Sequence, residues 1–256
     1  MIDPRAIIAP DAEIAEGVAI GAFTIIGPGV RIGAGSWIGP HAVINGPTTL
    51  GRENKVFQFA SVGDAPQDKK YRGEPTRLEV GDRNVFREFC SVNRGTVNGR
   101  GVTKIGDENL FMAYSHVAHD CIVGSNCVMS NCTALAGHVE LGDWVILSGY
   151  AGIHQFCKVG SHSFLANNAA VTRDVPPYLL VAGTPAEPKG VNSEGLKRRG
   201  FGPEQITNIR NAYRLLYRSG LKLAAATEQL QALAVDQPEL LPFVQFLAAS
   251  ERSIIR

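Results

Sequence analysis

Five of the six histidines in this 256-residue chain fall between His116 and His162, and histidine is the side chain whose proton moves near neutral pH. Three short segments hold most of them: His116-Val117-Ala118-His119-Asp120, Gly137-His138 and His154-Gln155. A carboxylate beside an imidazole can orient it and stabilise its charged form. His119 next to Asp120 is therefore the leading candidate for a functional histidine. His119, Gly137 and Gln155 follow one another at intervals of 18 residues, as do Asp120 and His138. In a chain that returned on itself every 18 residues these groups would stack, and Gly137 would leave a gap with its backbone open to a ligand. His41 and His162 read as isolated surface histidines, and Lys69 and Lys70 as solvated loop charges. The cluster Lys197-Arg198-Arg199 suits either a phosphate or the basic end of a helix.

The elements that position these groups follow from a repeat of six. Ile2, Ile8, Ile14 and every sixth residue to Val62 are aliphatic, eleven in succession. The register returns at Val80, Phe86 and Val92, then runs one residue out of phase from Ile105 to Val171. Glycine directly follows the aliphatic at eleven positions, and four residues after the aliphatic stands a small side chain such as Thr24, Ala42, Ser115 or Ala151. Apolar spacing of six and so much glycine exclude a helix. Short strands joined by tight corners fit, with glycine taking corner conformations or permitting close approach, and hexapeptide repeats of this kind form a parallel β-helix. Three hexads per coil give the 18-residue interval. Cys90, Cys121, Cys127 and Cys157 occupy the small inward position and read as buried thiols of a reducing compartment; Cys132 does not.

The repeat is interrupted at about 64–79 and 93–104, and insertions in a solenoid emerge as loops, often on the binding face. The β-helix is expected over 1–175 and a helical region over 176–256, with helices at Pro203–Ser219, Leu221–Val235 and Pro238–Ser250. Pro203 suits a first helical position and Gly220 a stop. Twenty-five basic and 24 acidic residues give a net charge of +1, which offers no field for nucleic acid. The absence of a long apolar run or a leader-like start points to a cytoplasmic protein, not an integral membrane one.

The hexads leading into HVAHD, with NCTALAGHVELGD, GIHQFC, DVPPY and GVNSEGLKRRGF, resemble the bacterial UDP-N-acetylglucosamine 3-O-acyltransferases of lipid A synthesis, over nearly the whole chain. The resemblance implies a left-handed β-helix, a homotrimer with active sites between subunits, and acyl carrier protein and UDP-N-acetylglucosamine as partners. The reaction would move a 3-hydroxyacyl group from the carrier thioester to the sugar 3-hydroxyl, with no cofactor, metal or covalent intermediate. His119 would be the base, Asp120 its orienter and the Gly137 amide the oxyanion donor. Asp68 and Lys70 match loop residues that hold the sugar. His116, His138, His154, Gln155, Asn192, Glu194, Arg198 and Arg199 match positions lining the sugar, acyl and nucleotide-phosphate contacts.

Two positions depart from the family pattern. Asn93 stands where an imidazole is usual, and Asn167 where some members have glycine, which suggests a shortened acyl groove. Other classes fit the sequence less well. A zinc site built on His119, His138 and His154, as in γ-type carbonic anhydrases, lacks the histidine pair five residues apart. A binding scaffold would scatter its polar residues. A sibling N-acyltransferase would carry a further N-terminal domain. A 3-amino sugar nucleotide stays open as the acceptor.

Overall fold

A computed structural model describes residues 1–256. The chain winds as a parallel β-helix of triangular section, its short strands stacking into three sheets. Face 1 runs from Ile7–Ile8 to Ala170–Val171 in nine strands, and face 2 from Glu13–Ile14 to Lys158–Val159 in eight. Face 3 has ten strands; it starts at Ala19–Ile20 and is extended by a terminal hairpin, Leu179–Ala182 with Glu187–Val191. The corners after faces 1, 2 and 3 form edges 1, 2 and 3.

The inward aliphatics make a single core. Ile26, Ile44, Val62, Val92, Val117 and Leu135 on face 1 are all 1% exposed or less, each contributing about 1.5–3 kcal/mol by burial. Small residues four positions later fill the corners from within, and their hydroxyls are satisfied: Thr24 Oγ1 donates to Gly39 O at 2.7 Å and Ser163 Oγ to Pro176 O at 3.0 Å. The four inward thiols are buried; burial pushes Cys121 and Cys127 up to about 12 and Cys157 to about 11, so they are inert as nucleophiles. Cys132 is half-buried on edge 3.

Of the two roles open to glycine after the aliphatic, close approach is the operative one. A Cβ at Gly21 would lie 2.5 Å from Pro40 N, and one at Gly106 2.6 Å from Ser125 Oγ. Coils about 4.8 Å apart leave no room for it. The left-handed backbone instead falls two residues later, on residues such as Phe59, Asp120, His138 and Phe156, with φ of 60–66°.

The insertions explain the register. Ile44 pairs with Val62, 18 residues on, but Val62 pairs with Val92 and Val92 with Val117. The first insertion thus adds two whole hexads and keeps the phase, while the second adds seven residues and shifts it by one. Strands Ser61–Asp64 and Arg77–Val80 shorten the first loop to 65–76, and strands Ser91–Asn93 and Val102–Ile105 shorten the second to 94–101. Both leave face 1 and re-enter on face 2. They therefore emerge from edge 1 in successive coils, immediately before the coil that carries His119.

Beyond the hairpin come α1 (Ser193–Arg198), α2 (Pro203–Tyr217), α3 (Leu223–Leu233), a 3₁₀ turn (Pro238–Leu240) and α4 (Leu241–Ala249). The hairpin and α1 carry no period long enough to be read from sequence. Ile206, Ile209, Tyr213 and Leu216 of α2 are buried as its apolar spacing requires. The chain end returns to the solenoid, where the Ile255 amide donates to Asp174 O at 2.9 Å. No helix is long and apolar enough to cross a membrane.

Candidate active site

Edge 1 stacks Asp120, His138 and Phe156 in successive coils, with His119, Gly137 and Gln155 one residue before each. His119 Nδ1 meets Asp120 Oδ2 at 2.9 Å. Asp120 is fully buried, while the His119 and His138 rings are 17% and 18% exposed. His138 stands edge-on to His119 with centroids 5.2 Å apart and stacks on Phe156 at 4.4 Å. Burial works to raise the Asp120 carboxyl, but donors from His119, Thr96 and Arg100 overcome it and hold it at about 2. Burial, with His119 and Arg100 nearby, lowers His138, and burial also lowers His116.

The Gly137 amide has a particular environment. On edge 2 the corresponding amides are capped from the next coil: Asp82 N donates to Asp107 Oδ1 at 2.7 Å, Ser125 N to Asp143 Oδ1 at 2.8 Å and Asp143 N to Ser161 Oγ at 3.0 Å. On edge 1 the next coil offers Gln155, which does not accept from Gly137, and the Gly137 N–H makes no backbone bond. A Cβ at Gly137 would lie 2.8 Å from His119 Nε2, so the residue with the uncapped amide packs against the free ring nitrogen. That pair can serve an oxyanion and a proton.

Two depressions meet at His119. A groove of about 600 Å³ runs along face 1, where Ala118, Ala134, Ala136, Gly152 and Ala170 give a smooth apolar floor and His116 and His154 stand among them. A polar basin of about 490 Å³ lies over edge 1, lined by Asp68, Lys69, Lys70, His138 and Gln155. His119 and Gln67 belong to both. His116 Nδ1 is 2.7 Å from Ser91 Oγ, and His154 Nδ1 is 3.1 Å from Gln155 O. The loop lysines, read from sequence as solvated charges, thus face the basin.

Other expected residues lie elsewhere. Asn192 caps α1, accepting from Gly195 N at 3.2 Å and donating to His162 O at 2.9 Å. Glu194 pairs with Lys197 on the surface, and Arg198 is exposed in the last turn of α1. The Arg199 guanidinium sits over Trp144 at 5.2 Å, with Nη1 3.4 Å from His162 Nδ1. These four gather at edge 2, across face 2 from His119. His162 is not an isolated surface histidine: it is stacked between Trp144 and Tyr178, and burial with the Arg199 charge pushes it down to about 4. His41 likewise stacks between Phe23 and Phe59. Asn93 is buried and donates to Ala65 O at 2.9 Å, tying down the first loop. Asn167 is exposed at edge 3, three residues before Ala170 of the groove. Sequence reasoning missed Thr96 and Arg100 of the second loop and Thr103 of the strand that follows it, because this segment has no period to place them against Asp120.

His119, Asp120 and His138 could offer three ligand atoms to a metal ion. Both Asp120 oxygens, however, already accept from Thr96 and Arg100 as well as His119, which is a poor donor set.

A hexapeptide solenoid with a half-buried histidine on a buried aspartate, set between a polar basin and an apolar groove, is an architecture suited to a transferase of the hexapeptide-repeat class. Residues 103–137 match the family "Bacterial transferase hexapeptide (six repeats)" and residues 174–255 the family "Udp N-acetylglucosamine O-acyltransferase; Domain 2". Proteins of Stutzerimonas stutzeri and Thiobacillus denitrificans named acyl-(acyl-carrier-protein)–UDP-N-acetylglucosamine O-acyltransferase are 50% and 52% identical, covering 100% of this chain and 99% of each relative. The structure of LpxA from Acinetobacter baumannii superposes with a TM-score of 0.98 at 46% identity, over 100% of this chain and 99% of that one. The chain belongs to the UDP-N-acetylglucosamine O-acyltransferase family. It is an acyltransferase, and its fold is the left-handed parallel β-helix.

Proposed function

We propose that the protein transfers a 3-hydroxyacyl group from acyl carrier protein to the 3-hydroxyl of UDP-N-acetylglucosamine, the first step of lipid A synthesis. The observation that carries this reading is the position of His119, where a polar basin suited to a sugar meets an apolar groove suited to an acyl chain. His119 Nε2 takes the sugar hydroxyl proton as the oxygen attacks the thioester carbonyl. Asp120, bound to Nδ1, fixes the ring and stabilises the imidazolium. The Gly137 N–H meets the oxyanion. Collapse breaks the carbon–sulfur bond, and the carrier thiolate recovers the proton from His119. Atoms and charge balance with no cofactor, metal or covalent enzyme intermediate.

The protein acts in this reading as a cytoplasmic homotrimer. Asn192, Glu194, Arg198 and Arg199 lie at edge 2 and the imidazoles at edge 1, so a sugar nucleotide held by both sets needs two copies of the chain. An exposed stripe on edge 3, with Phe59, Phe89 and Tyr114 stacked at 4.8–5.2 Å and 45–59% exposed, is apolar surface that an assembly would cover. Co-expression of His119→Ala and Arg199→Ala chains tests the shared site. Each variant alone is impaired, whereas random mixed trimers should recover roughly a quarter of the wild-type sites. Recovery of nothing beyond the sum of the separate variants would refute sharing.

Asn167 stands near the Ala170 end of the groove, and we propose that it shortens the accepted chain. Asn167→Gly should move the ratio of rates on long and short hydroxyacyl carriers toward the longer chain. Unchanged preference would remove Asn167 from chain selection.

A further inference from the structure

The second insertion is built onto Asp120. Thr96, itself 4% exposed, donates its hydroxyl to Asp120 Oδ2 at 2.6 Å and its amide to both carboxylate oxygens at 3.1 Å. Arg100 donates its amide to Oδ1 at 2.8 Å and its guanidinium to the Asp120 carbonyl at 2.7 Å. The same guanidinium pairs with Glu140 in the next coil. The loop can aim two amides at one carboxylate because it closes on itself, with Gly99 N and Gly101 N both donating to Thr96 O at 3.0 and 2.9 Å. Gly99 is required by space: a Cβ there would lie 2.5 Å from the Asp120 carboxylate and 2.6 Å from His138 Cε1. Thr103 Oγ1 completes the enclosure by accepting from Asp120 N at 2.8 Å.

This arrangement exceeds what anchoring a loop requires. A carboxylate has about four acceptor directions, and the loop occupies all but the one aimed at His119 Nδ1. We propose that Thr96 is a positioning residue of the acyl transfer, whose hydroxyl and amide lock the Asp120 carboxylate in the single orientation that holds His119 with Nε2 toward the groove. The inference rests on His119 being the base, and it gives the 94–101 insertion, whose Thr96 and Asn98 also line the basin, a part in the catalytic apparatus. Outer partners of this kind fix ring orientation at metal-ligating histidines, where their loss costs about 10- to 100-fold in affinity or activity.

The charged and titratable groups facing Asp120 are His119 and His138 on the solenoid and Arg100 from the loop, with Glu140 behind Arg100 and Asp68 and Lys70 across the basin. Thr96→Val leaves all of them in place and removes one donor. Asp120 then keeps more of its charge available to the imidazolium and is itself less stabilised as an anion. The first effect moves the acid limb of kcat/KM to higher pH, and the second acts on acid unfolding.

Thr96→Val should therefore lower kcat by about 10- to 100-fold, with KM for the sugar nucleotide within about twofold and the acid limb raised. Thr96→Ser, which keeps the hydroxyl, should restore both the rate and the limb. Equal kcat and an unmoved limb in the valine variant would overturn the proposal, as would a serine variant as impaired as valine. Acid unfolding followed by circular dichroism separates this from the choice of base. The Asp120 contribution to stability is present above the ordinary carboxyl range and lost as pH falls toward about 2, so losing a donor should move the acid transition of the valine variant above that of the serine variant. Coincident transitions would overturn the Thr96 contact itself. Separated transitions in an enzyme still active as His119→Ala would uphold the contact and reject His119 as the base it serves.

Discussion

His119→Ala is expected to fold as the parent does and to lose acyl transfer by about 10²- to 10⁴-fold. The loss follows from the position of Nε2, the one nitrogen of the dyad free to face both basin and groove. Its neighbour His138 turns its Nε2 toward the same Asp120 oxygen at 3.8 Å, and burial disfavours its charged form. The fold should survive because Asp120 keeps its bonds from Thr96 and Arg100, so no buried charge is left unpaired. The cost should be close to that of one hydrogen bond, about 1–3 kcal/mol. Initial rates of ester formation, with thermal unfolding as the control for folding, check both halves. A variant that keeps more than a tenth of the activity would show that another group takes the proton.

Gly137→Ala should be nearly as damaging by a different route. A methyl at this position lies 2.6 Å from His119 Cε1, 2.8 Å from Nε2 and 3.2 Å from Nδ1. The ring must swing aside, and its bond to Asp120 goes with it. The methyl also screens the amide that meets the oxyanion. Removing one such donor typically costs about 10²- to 10³-fold in kcat, so a loss of at least about 10² is expected. Gly137 is not in the left-handed region, so alanine introduces no backbone strain, and the stability cost should be limited to the displaced ring and its lost bond to Asp120, about 1–3 kcal/mol. Activity within threefold of the parent would separate Gly137 from the chemistry.

The two variants also show where sequence reasoning stops. Period six and an 18-residue coil are local properties, set by an aliphatic that must point inward and a corner that admits only small side chains. They suffice to bring Asp120 beside His138 and Gly137 between His119 and Gln155. Arg199 and His162 are different, since which edge receives α1 depends on a hairpin that no hexad announces. The choice between the two roles of glycine is of the same kind. The sequence shows glycine after the aliphatic, but the strike of a Cβ on the coil above is a tertiary fact.

The amino-acid sequence by itself determined the solenoid, the inward positions and the histidine–aspartate pair, because each depends on residues at a constant interval. Only the tertiary structure decided that both insertions leave edge 1, that the Gly137 amide is uncapped, and that Thr96 and Arg100 close on Asp120. The loop contacts join segments 20 or more residues apart with no shared period, and the Gly137 amide is uncapped although Gln155 stands one coil away; in both, space and hydrogen-bond geometry select the partner.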